Sequence, residues 1–233
     1  MKRVPEPELM DDVEQAAAYA GADFSEPHQR VVSLFEEAFS GVELTGPVLD
    51  LGCGPGDVTF RFARRFAQAR FLGVDGSAAM LHEAERRRAC EPPEVAARVE
   101  FFLGRLPGAP IPHRRWALIL STSFLHHLHD PAVLWRTVRE HAVPGTPVCV
   151  VDLMRPSSPA EAHRLVETYS GGEPEILKRD FFRSLCAAFR PAEVRAQLRA
   201  VGLRGLTVRP VSDRHLMIHG RLSLATPDSR SGK

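Results

Sequence analysis

"VLDLGCGPGD", Val48–Asp57, decides how this chain is read. An apolar run ends in three glycines and a proline, with Asp50 before them and Asp57 after. A turn that leaves a buried strand for a helix needs glycine wherever φ is positive or a ligand must touch the backbone. Gly52, Gly54 and Gly56 fit that need. A dinucleotide fingerprint is spaced GxGxxG and leaves a helix N-terminus free for pyrophosphate. Here the spacing is GxGxG, Pro55 removes a backbone donor, and Asp50 and Asp57 oppose a phosphate. Nicotinamide dinucleotides and nucleoside triphosphates therefore fit badly, and a cationic ligand fits better.

Outward from this turn the hydrophobic rhythm alternates between short apolar runs and amphipathic stretches, as in a parallel sheet covered by helices. "PVLDLG", "RFLGVD", "RVEFFLG", "WALILSTS" and "PVCVVDLM" read as five strands. "DVTFRFARRFAQA" is an amphipathic helix with Val58, Phe62 and Phe66 on one face. "DPAVLWRTVREHA" is another, with Asp130 as N-cap and Pro131 at its first position. Residues 9 to 40 read as helical and acidic, with a helix start at Ser25-Pro27, and residues 157 to 190 break the rhythm with two helical patterns around Gly171-Gly172. "PAEVRAQLRAVGL" is a helix closed by Gly202, and "LTVRPVSDRHLMIHGRL" a hairpin about Ser212-Asp213. The expected organisation is an N-terminal helical cap (1–46), a Rossmann-like core (47–156), a helical insertion or lid (157–190), the last helix and edge hairpin (191–225), and a polar tail (226–233).

The second strand ends in Asp75, 25 residues after Asp50. In doubly wound folds an acidic residue at that point accepts hydrogen bonds from ribose hydroxyls. A nucleoside with a positively charged, phosphate-free tail is thereby specified, which describes S-adenosylmethionine. "VLDLGCGPGD" and "FLGVDGSAAML" resemble the first two motifs of the class I S-adenosylmethionine-dependent methyltransferases, and "VEFFLGRLPG", "ALILSTSFLHHLHDP" and "VCVVDLM" resemble the later ones. The resemblance implies an α/β doubly wound sheet of seven strands, mostly parallel with an antiparallel last strand. It also implies methyl transfer that leaves S-adenosylhomocysteine as product. Carried over, Asp50, Gly52, Cys53, Gly54 and Gly56 surround the methionine end, Asp75 holds the ribose, and Gly76 and Met80 border the adenine. Ser121 and Thr122 lie beside the cofactor, and Tyr19 of the N-terminal region reaches the methionine carboxylate or packs in the core. Two departures stand out. Gly104-Arg105 replaces the acidic residue that commonly receives the adenine amino group, leaving that contact to a backbone amide or to packing on Leu106, and Trp116-Ala117 replaces the usual aspartate-bearing start of the fourth strand.

Methyl transfer from a sulfonium is an in-line displacement, so positioning supplies much of the catalysis. A hydroxyl or protonated amine acceptor must still lose a proton. His126 and His127, just beyond the fourth strand, are the candidate bases; each could instead cap a helix or face solvent. His129, Asp152 and Arg155 are candidate substrate contacts, with Arg155 otherwise an exposed cation. No metal site is expected, because the histidine and cysteine spacing shows no ligand set.

Composition bounds the partners. The 233 residues are 44% apolar and 25% charged with a net charge of +1, which offers no general attraction to nucleic acid or anionic lipid. The four cysteines (Cys53, Cys90, Cys149, Cys186) are widely spaced, as reduced thiols in a cytosol would be. No stretch has the length of a membrane span or an export signal. "STSF" stands where enzymes that methylate nucleic-acid amino groups carry an acidic or asparagine motif with two prolines and an aromatic, so nucleic acid is not the expected acceptor. The expected protein is a cytoplasmic monomer or homodimer that methylates a small molecule. An RNA- or protein-directed enzyme and a nonenzymatic S-adenosylmethionine sensor are the alternatives.

Overall fold

A computed structural model describes residues 1–223; the polar tail expected at 226–233 lies outside the described residues. Seven strands form one sheet: β1 (Gly46–Leu51), β2 (Ala69–Asp75), β3 (Val99–Leu103), β4 (Leu118–Thr122), β5 (Pro147–Leu153), β6 (Arg204–Pro210) and β7 (His215–Ser223). Their order is β3-β2-β1-β4-β5-β7-β6. The pairs among β1 to β5 are parallel, and β7 runs antiparallel to both β5 and β6. The sequence therefore winds outward in opposite directions from the β1/β4 junction. Beyond the carboxyl ends of the strands such a junction opens a crevice, where ligands of this architecture bind.

Alternation along each strand feeds two cores. Val48, Leu118 and Leu120 join a layer with α2 (Ser25–Ala38) and α3 (Asp57–Arg65). Leu49, Leu51 and Ile119 join the opposite layer with α6 (Ala132–His141) and α9 (Pro191–Ala200). Both faces of the central strands are covered, which is why they read as continuous apolar runs. Along the β2/β3 side run α4 (Ala78–Ala89) and the short α5 (Pro93–Ala96). Between β5 and α9 the chain forms α7 (Pro159–Ser170) and α8 (Glu175–Ala187), which share a small core of their own, including Leu165 and Leu185, with Leu153.

Several boundaries move by a few residues. The helix α3 stops at Arg65, because Phe66 leaves the helical region while its N–H still bonds Phe62 O. The helix after Asp130 starts at Ala132, whose N–H is met by the Asp130 side chain. In α2 the first amide, Ser25 N, is met by Asp23. Residues 9–12 are not helical; α1 begins at Val13, capped by Asp12.

Phe35 of α2 is fully buried and meets the rings of Phe39, Phe62 and Phe66 at 5.0–5.6 Å. The N-terminal cap is thus part of the sheet's core rather than an appendage. Phe35→Ala should cost ~3–5 kcal/mol of unfolding free energy in urea. A loss below about 1 kcal/mol would place α2 outside the cooperative unit.

Candidate active site

The turn from β1 into α3 is built from backbone that only glycine adopts easily. Gly52 has φ +71°, and a Cβ there would fall 2.2 Å from the Phe124 ring. Gly54 has φ +52° with nothing within 4 Å of the same construction, so its bare face opens on the crevice. Gly54 N–H donates to Asp75 Oδ2 at 2.8 Å, and Ser77 N–H donates to Oδ1 at 2.9 Å. One carboxylate thereby sets the distance between the glycine turn and the end of β2.

These elements wall a cavity of about 590 Å³, within the range of small-molecule sites. At one end it is lined by Tyr19, Asp50, Gly52, Cys53, Gly54, Asp75, Gly76, Met80, Arg105, Leu106 and Thr122. At the other it reaches Leu153, Leu177, Phe181, Ser184, Arg214 and His215, with His126 and His127 between. Of the apolar stripe on α8, Phe181 faces the cavity, whereas Phe182 stacks on His163 and Phe189 lies under Arg3.

The structure brings some expected residues together and removes others. Gly56, at φ +76°, is the N-cap of α3 and does not line the cavity. Ser121 is buried, its hydroxyl donating to Leu51 O at 2.7 Å, so it ties β4 to β1 instead of reaching a ligand. His129 is exposed and held by Glu6 O and Glu8 outside the cavity wall. Arg155 is neither a cavity residue nor an exposed cation. It is buried, donating to Ala188 O and pairing with Glu193 at the start of α9. Gly104 N–H is already committed to Asp75 O, which leaves Leu106 for packing on that side. Asp57 also behaves differently from its reading as a bare anion beside the glycines. His28, Arg61 and Arg87 contact its carboxylate at 2.7–2.8 Å. Burial alone would raise its pKa, but these hydrogen bonds and charges hold it well below the usual carboxylate range.

Asp152 acts behind the cavity. Its Oδ1 meets His126 Nδ1 at 2.6 Å and its Oδ2 accepts Leu125 N–H at 2.7 Å. Burial disfavours the His126 cation, yet Asp152 overrides that cost and raises the imidazole's pKa above its ordinary value. Burial and then the neighbouring His126 charge push His127 down to about 3. Sequence reasoning missed Glu6. It lies in an irregular segment that crosses the mouth of the cleft, anchored where Val4 N–H meets Cys186 O, where Arg3 meets His126 O and Leu128 O, and where Ser77 Oγ meets Met10 O. No local pattern in "VPEPELM" marks those contacts, which span more than a hundred residues for Arg3.

The sheet order with its antiparallel edge and a cavity at the carboxyl ends of the strands define a Rossmann-like fold, and known methyltransferases share it. Residues 49–148 match the methyltransferase domain family. The chain is 35% identical over 125 residues to a trans-aconitate 2-methyltransferase of Azoarcus sp., covering 53% of this chain and 45% of that protein. It is 30% identical over 111 residues to an uncharacterized methyltransferase of Schizosaccharomyces pombe, covering 46% of this chain and 40% of that one. The matches thus span less than half of these relatives' own lengths. Among solved structures, a SAM dependent methyltransferase from Aquifex aeolicus superposes with a TM-score of 0.68 at 16% identity, covering 91% of this chain and 99% of its own. The plantazolicin methyltransferase BpumL, solved with SAH, superposes at 0.65 with 12% identity over 89% and 90% of the two chains. Residues 49–148 thus match a methyltransferase domain, on a fold shared with solved S-adenosylmethionine-dependent methyltransferases.

The cavity's own chemistry fits that cofactor. Asp50 Oδ1 and Thr122 Oγ1 are buried without hydrogen-bond partners among the described residues, and both residues line the cavity. Buried polar atoms in this position call for a ligand that donates hydrogen bonds, and a carboxylate welcomes a cationic one. Burial pushes Asp50 up to about 7, with the Thr59 hydroxyl opposing the shift. A folded pKa above the ordinary 3.8 means that the folded state binds this proton more tightly, so ionising Asp50 costs stability as pH rises from about 4 to 7. In the protein without cofactor, Asp50→Asn should therefore raise stability by ~2–4 kcal/mol at pH 8 and by less at pH 5. Thermal melts at the two pH values check this, and an equal or larger gain at pH 5 would contradict the shift.

Proposed function

We propose that the protein transfers a methyl group from S-adenosylmethionine to a small-molecule acceptor held beneath α7 and α8. The observation that carries this reading is the single continuous cavity, which runs from the glycine turn and Asp75 to Leu177 and Phe181 of the insertion. Its acceptor end is lined by Leu177 and Phe181 of α8 and by Leu153, apolar walls that favour a compact acceptor over a polymer.

When bound, the cofactor supplies an electrophilic methyl group on a sulfonium. Asp75 keeps a free lone pair on each oxygen for ribose hydroxyls while its backbone bonds hold it in place. Asp50 and Thr122 receive the methionine end, Met80 and Leu106 flank the adenine, and Tyr19 closes the cavity from α1, its hydroxyl pushed up to about 12 by burial and by nearby aspartates, so it serves as a neutral donor. On the acceptor side, His126 is oriented by Asp152, and His127 lies against it with ring centroids 4.2 Å apart. Their place between the two ends of the cavity suits His126 to receive the acceptor's proton and His127, which burial keeps neutral, to orient its heteroatom. Leu153, Leu177 and Phe181 favour an acceptor with an apolar or aromatic body, and Arg214, stacked on Tyr169, offers one cation at the rim. The trans-aconitate relatives carry a carboxylated acceptor in their name, which makes carboxylated small molecules the first set to screen.

Titration calorimetry should show S-adenosylmethionine and S-adenosylhomocysteine binding with no binding of NAD. Asp75→Ala should weaken both by tenfold or more, in line with ~1.5–3 kcal/mol for a hydrogen bond to a charged acceptor. Unchanged affinity would remove Asp75 from the site. With methyl-labelled cofactor, turnover is expected on a small-molecule panel, and label found only in RNA or protein would overturn the acceptor class. Once an acceptor is found, His126→Ala and His127→Ala should lower kcat while leaving cofactor affinity within about twofold. Full activity in both variants would leave positioning alone to drive the transfer.

A further inference from the structure

Glu6 Oε1 lies 3.6 Å from His126 Nε2 and 3.4 Å from His127 Nδ1. Neither contact is a hydrogen bond: the first is too long, and His127 Nδ1 is buried with no hydrogen-bond partner among the described residues. One ligand atom from each of the three residues falls within 4.8 Å of the others. Ligands bound tetrahedrally at ~2.0–2.1 Å stand ~3.3–3.4 Å apart, close to the separations Glu6 keeps from the two rings. Behind the cluster, Asp152 holds His126 Nδ1 at 2.6 Å. A carboxylate on one ring nitrogen aims the other at a metal and fixes the ring's orientation. Glu6 is steadied in turn by Ser184 Oγ at 3.0 Å.

We propose that Glu6, His126 and His127 form a binding site for a divalent transition cation of the zinc type. Two imidazoles and one carboxylate are a borderline donor set, suited to Zn²⁺ or Co²⁺ and poor for Mg²⁺ or Ca²⁺, which prefer all-oxygen shells. Three protein ligands leave a fourth position for water or for an acceptor heteroatom, the pattern of sites that act on a ligand rather than merely brace a fold. His126 and His127 line the cavity, so that fourth ligand can come from it. A coordinated hydroxyl or thiol loses its proton more readily than a free one. Because Glu6 belongs to the segment across the cleft mouth, the same cation ties that segment down beside the acceptor. With the cation bound, both nitrogens of His126 are occupied, so the ring serves as a ligand and not as a base; the proposal goes beyond methyl transfer and does not depend on it.

The test uses the full chain, stripped with a chelator and titrated with Co²⁺ by visible absorption and with Zn²⁺ against a chromophoric chelator, with no methyl acceptor present. One equivalent of each metal should bind, and Co²⁺ should give the intense visible bands of a tetrahedral site. Glu6→Gln and His127→Ala should each weaken Zn²⁺ at least tenfold, whereas Cys90→Ser, at an exposed free thiol, should leave it unchanged. Absence of stoichiometric binding overturns the proposal, as does binding that survives Glu6→Gln. Glu6 lies in an irregular segment, so that variant decides the matter even if His127→Ala does not fold. Occupancy is read directly, so a negative result leaves the methyl-transfer reading standing.

Discussion

The hydrogen bond from Gly54 N–H to Asp75 Oδ2, 2.8 Å long, joins the turn after β1 to the last residue of β2. It exists because the two strands are parallel and in register, Leu51 beside Val74, so their carboxyl ends arrive at the same height. The turn must then fold back without side chains in its way, which the positive φ of Gly52 and Gly54 allows. Asp75, half-buried, is in turn held by two backbone donors, an arrangement that compensates a carboxylate for partial loss of water. The shape of this end of the cavity and the entry into helix α3 both follow from this one closure.

On the far side of the cavity a second carboxylate plays a comparable part. Asp152 stands within a strand whose seven residues are all buried, yet neither of its oxygens is left unpaired. By accepting from Leu125 N–H and His126 Nδ1 together, it fixes both the 3₁₀ turn after β4 and the ring that projects from it. An open α/β sheet offers loops at the carboxyl ends of its strands, and here a buried anion under the loop converts flexible backbone into a defined wall.

Much of this was legible in the sequence because the signals are local. The five apolar runs became β1 to β5, the hairpin about Ser212-Asp213 became β6 and β7, and the glycine spacing pointed to a ligand other than pyrophosphate. What was illegible comes from contacts between distant residues. Asp57 looked like a repulsive charge beside the glycines, but His28 and Arg87 arrive from other helices and neutralise it, so that part of the case against phosphate was weaker than the sequence suggested. Arg155 looked free, but Glu193 approaches it across the insertion. Glu6 carried no signal at all, since its neighbours His126, His127 and Ser184 are assembled only when residues 1–12 cross the cleft. Polar residues reveal their partners in tertiary structure, whereas hydrophobic periodicity reveals itself in a short window.

The most direct test of the central claim is a crystal structure of the protein with S-adenosylhomocysteine. If the site is as described, the ribose hydroxyls will lie on Asp75, the amino acid end beside Asp50 and Thr122, and the sulfur will face the part of the cavity bounded by His126 and Phe181. A ligand bound with its ribose away from Asp75, or with its sulfur turned from that end of the cavity, would contradict it.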